Sequence, residues 1–311
     1  TGDRLNFGLA AERARAFGLK VSMVVVDDDI ALPDLPQPRG VAGTLFVHKI
    51  AGAMAESGAD LDAITKAANA AIANMASIGK SLDTCTVPGS AKEERSAPGM
   101  AELGLGIHGE AGVEQVAFKD ARNAMDLVLE KLAPRIGQKP HVAILNNLGA
   151  TTPLEMSVLA HELATSEKAN KIKNIIGPAP LMTSLDMHGF SVSVLPLDAT
   201  NEGHLAAPVD LPSWPGMNRI AAVPTRPLPD GLSPIKPIPS ANDKTKAILE
   251  QCCDLLLGAE ADLNKLDAKS GDGDTGSTLA TAARALKGSL DRMPLADPTQ
   301  LFRAVGDELS Q

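Results

Sequence analysis

The sequence predicts an α/β domain followed by an all-α domain, and three observations support this. Apolar runs at 21–26 and 141–145 are typical of strands buried on both faces, and segments with helical periodicity separate such runs. Proline is concentrated in residues 223–240, which indicates a semi-rigid linker. After the linker the apolar residues recur with helical spacing and no run is strand-like.

The elements of the first domain alternate between the two types, which favours an α/β fold. Helices are predicted in residues 9–17, 50–58, 61–78, 120–132 and 153–166. Strands are predicted in residues 21–26, 141–145, 171–176 and 191–197. In the second domain, helices are predicted in residues 241–257 and after Thr278.

Composition excludes several classes of function. The net charge of −9 and the pI near 5.2 argue against nucleic acid as a partner, and the aromatic content of 2 %, with no Tyr, offers few platforms for base stacking. No apolar stretch approaches the roughly 18 residues of a membrane span. No secretory signal opens the sequence, and the three cysteines form no disulfide framework. We therefore expect a cytoplasmic protein.

The most informative stretch is residues 266–278, in which Asp267, Asp272 and Asp274 are separated by glycines. Carboxylates this close repel one another unless a cation lies between them, and Mg²⁺ is the cation that prefers such oxygen ligands. The next residues, Thr275, Gly276, Ser277 and Thr278, open a predicted helix. Backbone N–H groups at a helix start, beside bound Mg²⁺, would form a receptor for phosphate.

Other interpretations of this stretch are weaker. An EF-hand loop beginning at Asp272 would need acidic residues where Gly276 and Ala283 stand. A solvated turn would explain one Asp-Gly-Asp, but not the added Asp267 and the hydroxyl residues that follow. The Gly-Lys-Ser/Thr of a P-loop is absent from the stretch.

A second stretch, residues 103–112, places His108 among glycines. No bulky side chain shields the imidazole in the sequence, so a ligand could approach it. Composition alone leaves open whether His108 is a nucleophile, a base or a structural residue, while the lack of a second ligand at metal spacing argues against a metal site. The acidic run 27–29 after the first predicted strand is either a ligand site or, as we favour, a solvated loop.

These stretches together resemble the ATP-dependent dihydroxyacetone (glycerone) kinases, whose relatives include triokinase/FMN cyclases and erythrulose kinases. The resemblance covers essentially the whole sequence. The matching segments are Thr1-Gly2-Asp3-Arg4-Leu5-Asn6-Phe7-Gly8, Gly104-Leu105-Gly106-Ile107-His108-Gly109-Glu110-Ala111-Gly112, Asn146-Asn147-Leu148-Gly149, Leu266-Asp267, and Gly271-Asp272-Gly273-Asp274-Thr275-Gly276.

The resemblance implies an α/β sugar-binding (DhaK-like) domain at 1–222, the linker at 223–240, and a DhaL-like helix barrel that binds nucleotide at 241–311. His108 matches the histidine that holds the substrate ketone as a hemiaminal, which would exclude glycerol because glycerol has no carbonyl. Asp3 matches the residue that binds the sugar and accepts the proton of its attacking hydroxyl.

The resemblance also implies the cofactors and partners. Asp267, Asp272 and Asp274 match ligands of Mg²⁺, and Thr275, Gly276, Ser277 and Thr278 match a turn that cradles the phosphates of ATP. The expected partners are a small carbonyl sugar and a second copy of the chain in a homodimer, with neither nucleic acid nor a membrane. The family's Gly-rich loop with His and its substrate lysine would precede Thr1, and a second nucleotide motif would follow Gln311, so we expect a piece of a longer chain.

Two alternative functions fit the same resemblance. The first is a sugar-binding co-regulator without catalysis, against which the intact carboxylate cluster argues, because a sensor needs no Mg²⁺ ligands. The second is a lyase that cyclises FAD on the same helical domain. Which ketose or aldose is preferred stays open, because selectivity depends on the shape of the pocket.

Overall fold

The structure is a computed structural model that describes residues 2–32, 39–93, 95–107, 110–221, 226–227 and 237–310. The chain divides into two compact units, residues 1–223 and residues 224–311. Each is described by itself. Among the described residues, no helix combines the length and the apolar composition that a membrane span requires.

The first unit contains six helices and seven strands among its described residues. The helices are α1 (Gly2–Ala16), α2 (Thr44–Glu56), α3 (Leu61–Asn74), α4 (Ala121–Leu132), α5 (Pro153–Thr165) and α6 (Ala199–Ala206). The strands are β1 (Ala76–Ser81), β2 (Met100–Leu103), β3 (Glu114–Ala117), β4 (His141–Asn147), β5 (Ile172–Ala179), β6 (Gly189–Pro196) and β7 (Met217–Arg219). Three-residue 3₁₀ turns are left out of this numbering.

The strands form one mixed sheet in the order β3-β2-β1-β6-β4-β5-β7, in which β4 and β5 are parallel and the other neighbours are antiparallel. Helices cover both of its faces. Side chains of α4 and α5 form one core cluster with Ala76, Ile78 and Val192, and side chains of α2 and α3 form another with Val142 and Ile144. Burial on both faces explains why β4 is apolar over consecutive residues.

Local sequence signals account for the helix starts at this sheet. Asp120 caps α4 by accepting a hydrogen bond from the Asn123 N–H. Thr152 and Glu155 form a capping box that begins α5. Because these caps satisfy backbone groups that a helix start leaves unpaired, both helices begin where the sequence indicates.

Two secondary-structure predictions for this unit are wrong. Residues 21–26 form no strand and are partly exposed. Just after them, Asp29 makes one isolated bridge to Ser77 at the start of β1, but none of the described strands pairs with residues 21–26. The helix predicted at 61–78 ends at Asn74, and its last residues belong to β1.

The described residues of the second unit form four α-helices: α7 (Asp243–Gly258), α8 (Glu260–Asp267), α9 (Thr275–Ser289) and α10 (Pro298–Leu309). Helix α9 is central in this unit, since α7, α8 and α10 all contact it. Most of the predicted linker at 223–240 lies outside the described residues. That this unit is a DhaL-like helix barrel stays a prediction.

Candidate functional site

Three carboxylates converge in the loop between α8 and α9. Asp267 is the last residue of α8, Asp272 and Asp274 lie in the loop, and α9 begins at Thr275. One oxygen from each of the three carboxylates lies within 4.8 Å of the other two. The tight turn between the two helices therefore brings the three carboxylates together into a cluster.

Asp267 is fixed by the loop that it helps to form. Its Oδ2 accepts hydrogen bonds from the N–H groups of Gly273 (2.8 Å), Asp274 (3.1 Å) and Thr275 (3.5 Å). Desolvation acts to raise the pKa of Asp267, but these donors outweigh it and hold the pKa below its usual range. A β-carbon on Gly271 would lie 2.5 Å from Oδ1 of Asp267, so a larger residue there would displace the carboxylate.

Asp272 and Asp274 are exposed and interact unfavourably. Asp272 raises the pKa of Asp274, both through a hydrogen bond and through its own negative charge. The negative charge of Asp267 raises this pKa further. Oxygen ligands on opposite sides of a Mg²⁺ ion are about 4 Å apart, given Mg–O distances of about 2.1 Å. Three carboxylate oxygens within 4.8 Å of one another fit such an ion after small side-chain rotations, and its charge would relieve the repulsion.

The start of α9 is packed against α8. Gly276 is buried, and a β-carbon there would clash with the carbonyl oxygen of Glu260. The Ser277 N–H donates to Oδ1 of Asn264 (3.0 Å), and the Ser277 hydroxyl donates to Glu260 (3.2 Å) and accepts from Asn264 (3.0 Å). Ser277 thus joins the two helices.

Fewer backbone N–H groups are therefore available to bind phosphate at the start of α9 than the sequence indicates. The N–H groups of Thr275 and Ser277 already have acceptors on α8. Sequence reasoning missed Asn264 and Glu260, which lie one to two helical turns before Asp267. Asn264 and Glu260 are polar and stand three and seven residues before Asp267, so helical spacing places all three on one side of α8. This spacing could have indicated that they meet α9.

The predicted sugar-site residues belong to the first unit. Asp3 lies in the first turn of α1, with an exposed side chain. His108 lies outside the described residues. Among the described residues, Arg39 pairs with Asp29 (2.7 Å) and donates to the Gly104 carbonyl oxygen (2.8 Å), which holds the segment that follows β2.

The Asn146-Asn147-Leu148-Gly149 segment has a structural role in this unit. Oδ1 of Asn146 accepts hydrogen bonds from the N–H groups of Leu181 (3.0 Å) and Met182 (2.8 Å). Asn147 donates to the Thr151 carbonyl oxygen (2.6 Å). These buried amides pin the loops that follow β4 and β5.

The acidic run 27–29 is not the solvated loop that we favoured from the sequence. Asp27 is exposed, but Asp28 and Asp29 are buried. Asp28 accepts hydrogen bonds from the N–H groups of Val41 (2.7 Å) and Gly43 (2.8 Å). The segment that enters α2 is thereby fixed to β1 through Ser77, whose hydroxyl also donates to Asp28.

Comparison with protein families identifies the first unit. The family model described as the Dak1 domain matches residues 1–213. This chain belongs to the Dak1 family. The match includes strands β1 to β6 and all the helices that cover the sheet, so the α/β part of the predicted fold class is confirmed.

Two relatives, and a crystal structure of the first, show what this Dak1 chain is similar to within the family. It is 41 % identical to a dihydroxyacetone kinase of Citrobacter freundii over 100 % of its own length and 57 % of the relative's. It is 38 % identical to the triokinase/FMN cyclase of Bos taurus, over 97 % and 56 %. The crystal structure of the C. freundii dihydroxyacetone kinase in complex with AMP-PNP and Mg²⁺ has a TM-score of 0.73 and 40 % identity, over 99 % and 58 %. The chain spans a little over half the length of these relatives.

Proposed function

We propose that this protein is a kinase that transfers the γ-phosphoryl group of ATP, with Mg²⁺, to a terminal hydroxyl of dihydroxyacetone or of a related short sugar such as erythrulose or glyceraldehyde. The carboxylate cluster at Asp267, Asp272 and Asp274 is the observation that carries the proposal. It supplies hard oxygen ligands at the start of a helix, in a chain of the Dak1 family. The C. freundii relative was crystallised with AMP-PNP and Mg²⁺, which supports the same cosubstrate and ion here.

In the proposed arrangement residues 1–222 form the DhaK-like sugar domain, 223–240 the linker and 241–311 the DhaL-like nucleotide domain. Bound Mg²⁺ would neutralise charge on the phosphate oxygens of ATP. Asp267 keeps the loop in one conformation through its three backbone donors, so Asp272 and Asp274 stay close together before a ligand arrives. The N-terminus of α9, at Thr275 to Thr278, adds partial positive charge beside the phosphates.

The sugar side of the proposal assigns one role to each of two residues. His108 adds through a ring nitrogen to the substrate carbonyl, so that a hemiaminal forms and ketone is distinguished from glycerol. Asp3 accepts the proton of the attacking hydroxyl, for which its exposed carboxylate is suited. We further propose that the protein acts as a homodimer, on the strength of the family resemblance.

An ADP-release assay on the complete protein tests the activity. We expect ADP release that depends on both Mg²⁺ and dihydroxyacetone or erythrulose, and none with glycerol. Omission of sugar is the control for simple ATP hydrolysis. Release of FMN from FAD without sugar-dependent ADP release would replace the kinase with a cyclase, and sugar binding without either product would indicate a co-regulator.

Two substitutions separate holding the sugar from reacting with it. His108→Ala should raise KM for the ketone strongly and weaken discrimination against glycerol, while turnover persists. Asp3→Asn should lower kcat by about 100-fold or more with a smaller effect on KM. Unchanged ketone selectivity in His108→Ala would contradict the role of the histidine, and unchanged kcat in Asp3→Asn would contradict that of the carboxylate.

A further inference from the structure

A lysine occupies a core-facing position of the central sheet. Alternation along β1 places Ala76, Ile78 and Lys80 on one face, and the first two belong to the core beneath α4 and α5. Lys80 is only 1 % exposed. A lysine at the edge of a core normally extends its chain to bring the ammonium group into water, and Lys80 does not.

The Lys80 amine has no hydrogen-bond partner in the part of the chain that the structure describes. It lies 5.8 Å from the centre of the Phe118 ring, a contact that compensates little of the cost of burying a charge. Glu155 is already engaged, because it accepts from the N–H and the hydroxyl of Thr152 (2.8 Å each) and pairs with His188 (3.1 Å). Burial accordingly lowers the pKa of the Lys80 amine.

A cavity of about 160 Å³ adjoins this lysine. Its walls are mainly apolar and include Leu82, Phe118, Ala121, Val158, Leu159 and Phe190. A dry apolar cavity of about 150 Å³ is large enough for a body the size of benzene. Helices α4 and α5 both begin at this cavity, so their N-terminal dipoles add to the positive potential, although Asp120 and the Thr152–Glu155 box cap them.

An amine that is buried without a partner beside an apolar cavity best fits an occupant with one negative end, which would pair with the protonated amine, and an apolar body. Phosphate does not fit this requirement, since it needs several donors and the cavity offers one free amine among its described lining residues. A neutral apolar molecule would leave the amine unpaired. A carboxylate with a short hydrocarbon chain satisfies both parts of the site.

We propose that this cavity binds a small carboxylate whose apolar body has about six heavy atoms, with the carboxylate paired to Lys80. The lining residues include none of those assigned to sugar, nucleotide or metal. The inference therefore goes beyond the proposed kinase function and does not depend on it.

Calorimetric titration of the complete protein with hexanoate tests this site. We expect saturable binding of hexanoate, and binding of 1-hexanol that is at least tenfold weaker, because the alcohol has the same chain without the charge. Lys80→Met, which keeps the length and apolar character of the side chain, should weaken hexanoate binding at least tenfold and should not lower thermal stability. Lys131→Met is the matched control, because Lys131 is exposed and pairs with Glu114 at 3.2 Å; it should bind hexanoate like the wild type.

A second variant keeps the test decisive if Lys80→Met does not fold. Ala121→Phe places a large side chain in the wall of the cavity and leaves the lysine unchanged, so it should also abolish hexanoate binding. Sugar-dependent ADP release should be unchanged in Lys80→Met. The proposal is overturned if the wild type shows no saturable binding at about 10 mM hexanoate, or if either a folded Lys80→Met or a folded Ala121→Phe binds hexanoate as tightly as the wild type.

Discussion

Two acidic clusters look alike in the sequence and differ in the structure. In the first unit Asp28 is buried, and two backbone N–H groups and one hydroxyl donate to its carboxylate. In the second unit Asp272 and Asp274 are exposed and face each other. The protein's own donors engage the Asp28 carboxylate, whereas Asp272 and Asp274 are exposed where we propose that a cation binds.

The cause of the perturbed acidity separates the two clusters further. Burial raises the pKa of Asp28, although the donors from Ser77, Val41 and Gly43 act against it. The neighbouring carboxylate Asp272 raises the pKa of Asp274. A cation would remove the second cause and leave the first in place. Donors around a carboxylate, rather than the number of carboxylates nearby, therefore distinguish a structural cluster from a binding one.

The largest effect on stability is expected at Asp28. Asp28→Asn removes the charge and one acceptor oxygen, so a buried N–H loses its partner and the free energy of unfolding should fall by about 3 kcal/mol. Asp27→Asn is the matched control, because Asp27 is exposed, and it should change the value by less than about 0.5 kcal/mol. Urea unfolding of both variants measures the difference, and equal losses would place both residues in the same class.

The second effect is on metal binding rather than on stability. Asp272→Asn should weaken the binding of Mg·ADP by about 10- to 100-fold, since it removes a ligand. Unfolding without metal should be unchanged or shifted slightly towards higher stability, because Asp274 loses a repulsive neighbour. Titration calorimetry with ADP, with and without Mg²⁺, measures the loss of affinity, and thermal unfolding without metal measures the change in stability. Wild-type affinity in this variant would make the cluster a surface turn.

The smallest effect on stability is expected at Asp267, which does not fit the contrast between a structural and a binding carboxylate. Its carboxylate is both a candidate ligand and an acceptor for the loop N–H groups, so it combines the two roles. Asp267→Asn should therefore lower stability by about 1 kcal/mol without metal and also weaken binding of Mg·ADP. Amide hydrogen exchange at Gly273 reports the first loss directly. A variant that loses affinity with unchanged exchange would show that the backbone donors do not hold the loop.

A secondary-structure element could be predicted where its apolar pattern lies entirely within its own segment of the sequence. The apolar run of β4 and the amphipathic spacing of α4 are complete within a few residues, so their class follows from the sequence. Residues 21–26 carry the same apolar signal and form no strand. A strand also needs a partner strand, and none of the described strands pairs with residues 21–26. That information belongs to the sheet and to no single segment.

The candidate sites also differ in how far local sequence could predict them. The spacing of Asp267, Asp272 and Asp274 with their glycines predicts a cluster, because glycines allow the tight turn that brings the three carboxylates together. Lys80 was missed, although alternation along β1 places it on the face of Ala76 and Ile78. The signal was present in the period of two, but it became visible only once residues 76–81 were known to be a strand instead of the end of a helix.

The sequence by itself determined what depends on neighbours along the chain: the helical and apolar segments, the carboxylate spacing and the membership of a family. The tertiary structure decided what depends on distant segments. It buried Asp28 under donors from β1 and from the segment that enters α2, left Asp274 exposed beside Asp272, and enclosed Lys80 among α4, α5 and Phe118. The physical reason is that burial and the supply of hydrogen-bond donors come from residues far apart in sequence, and these set whether a charge is structural or available to a ligand.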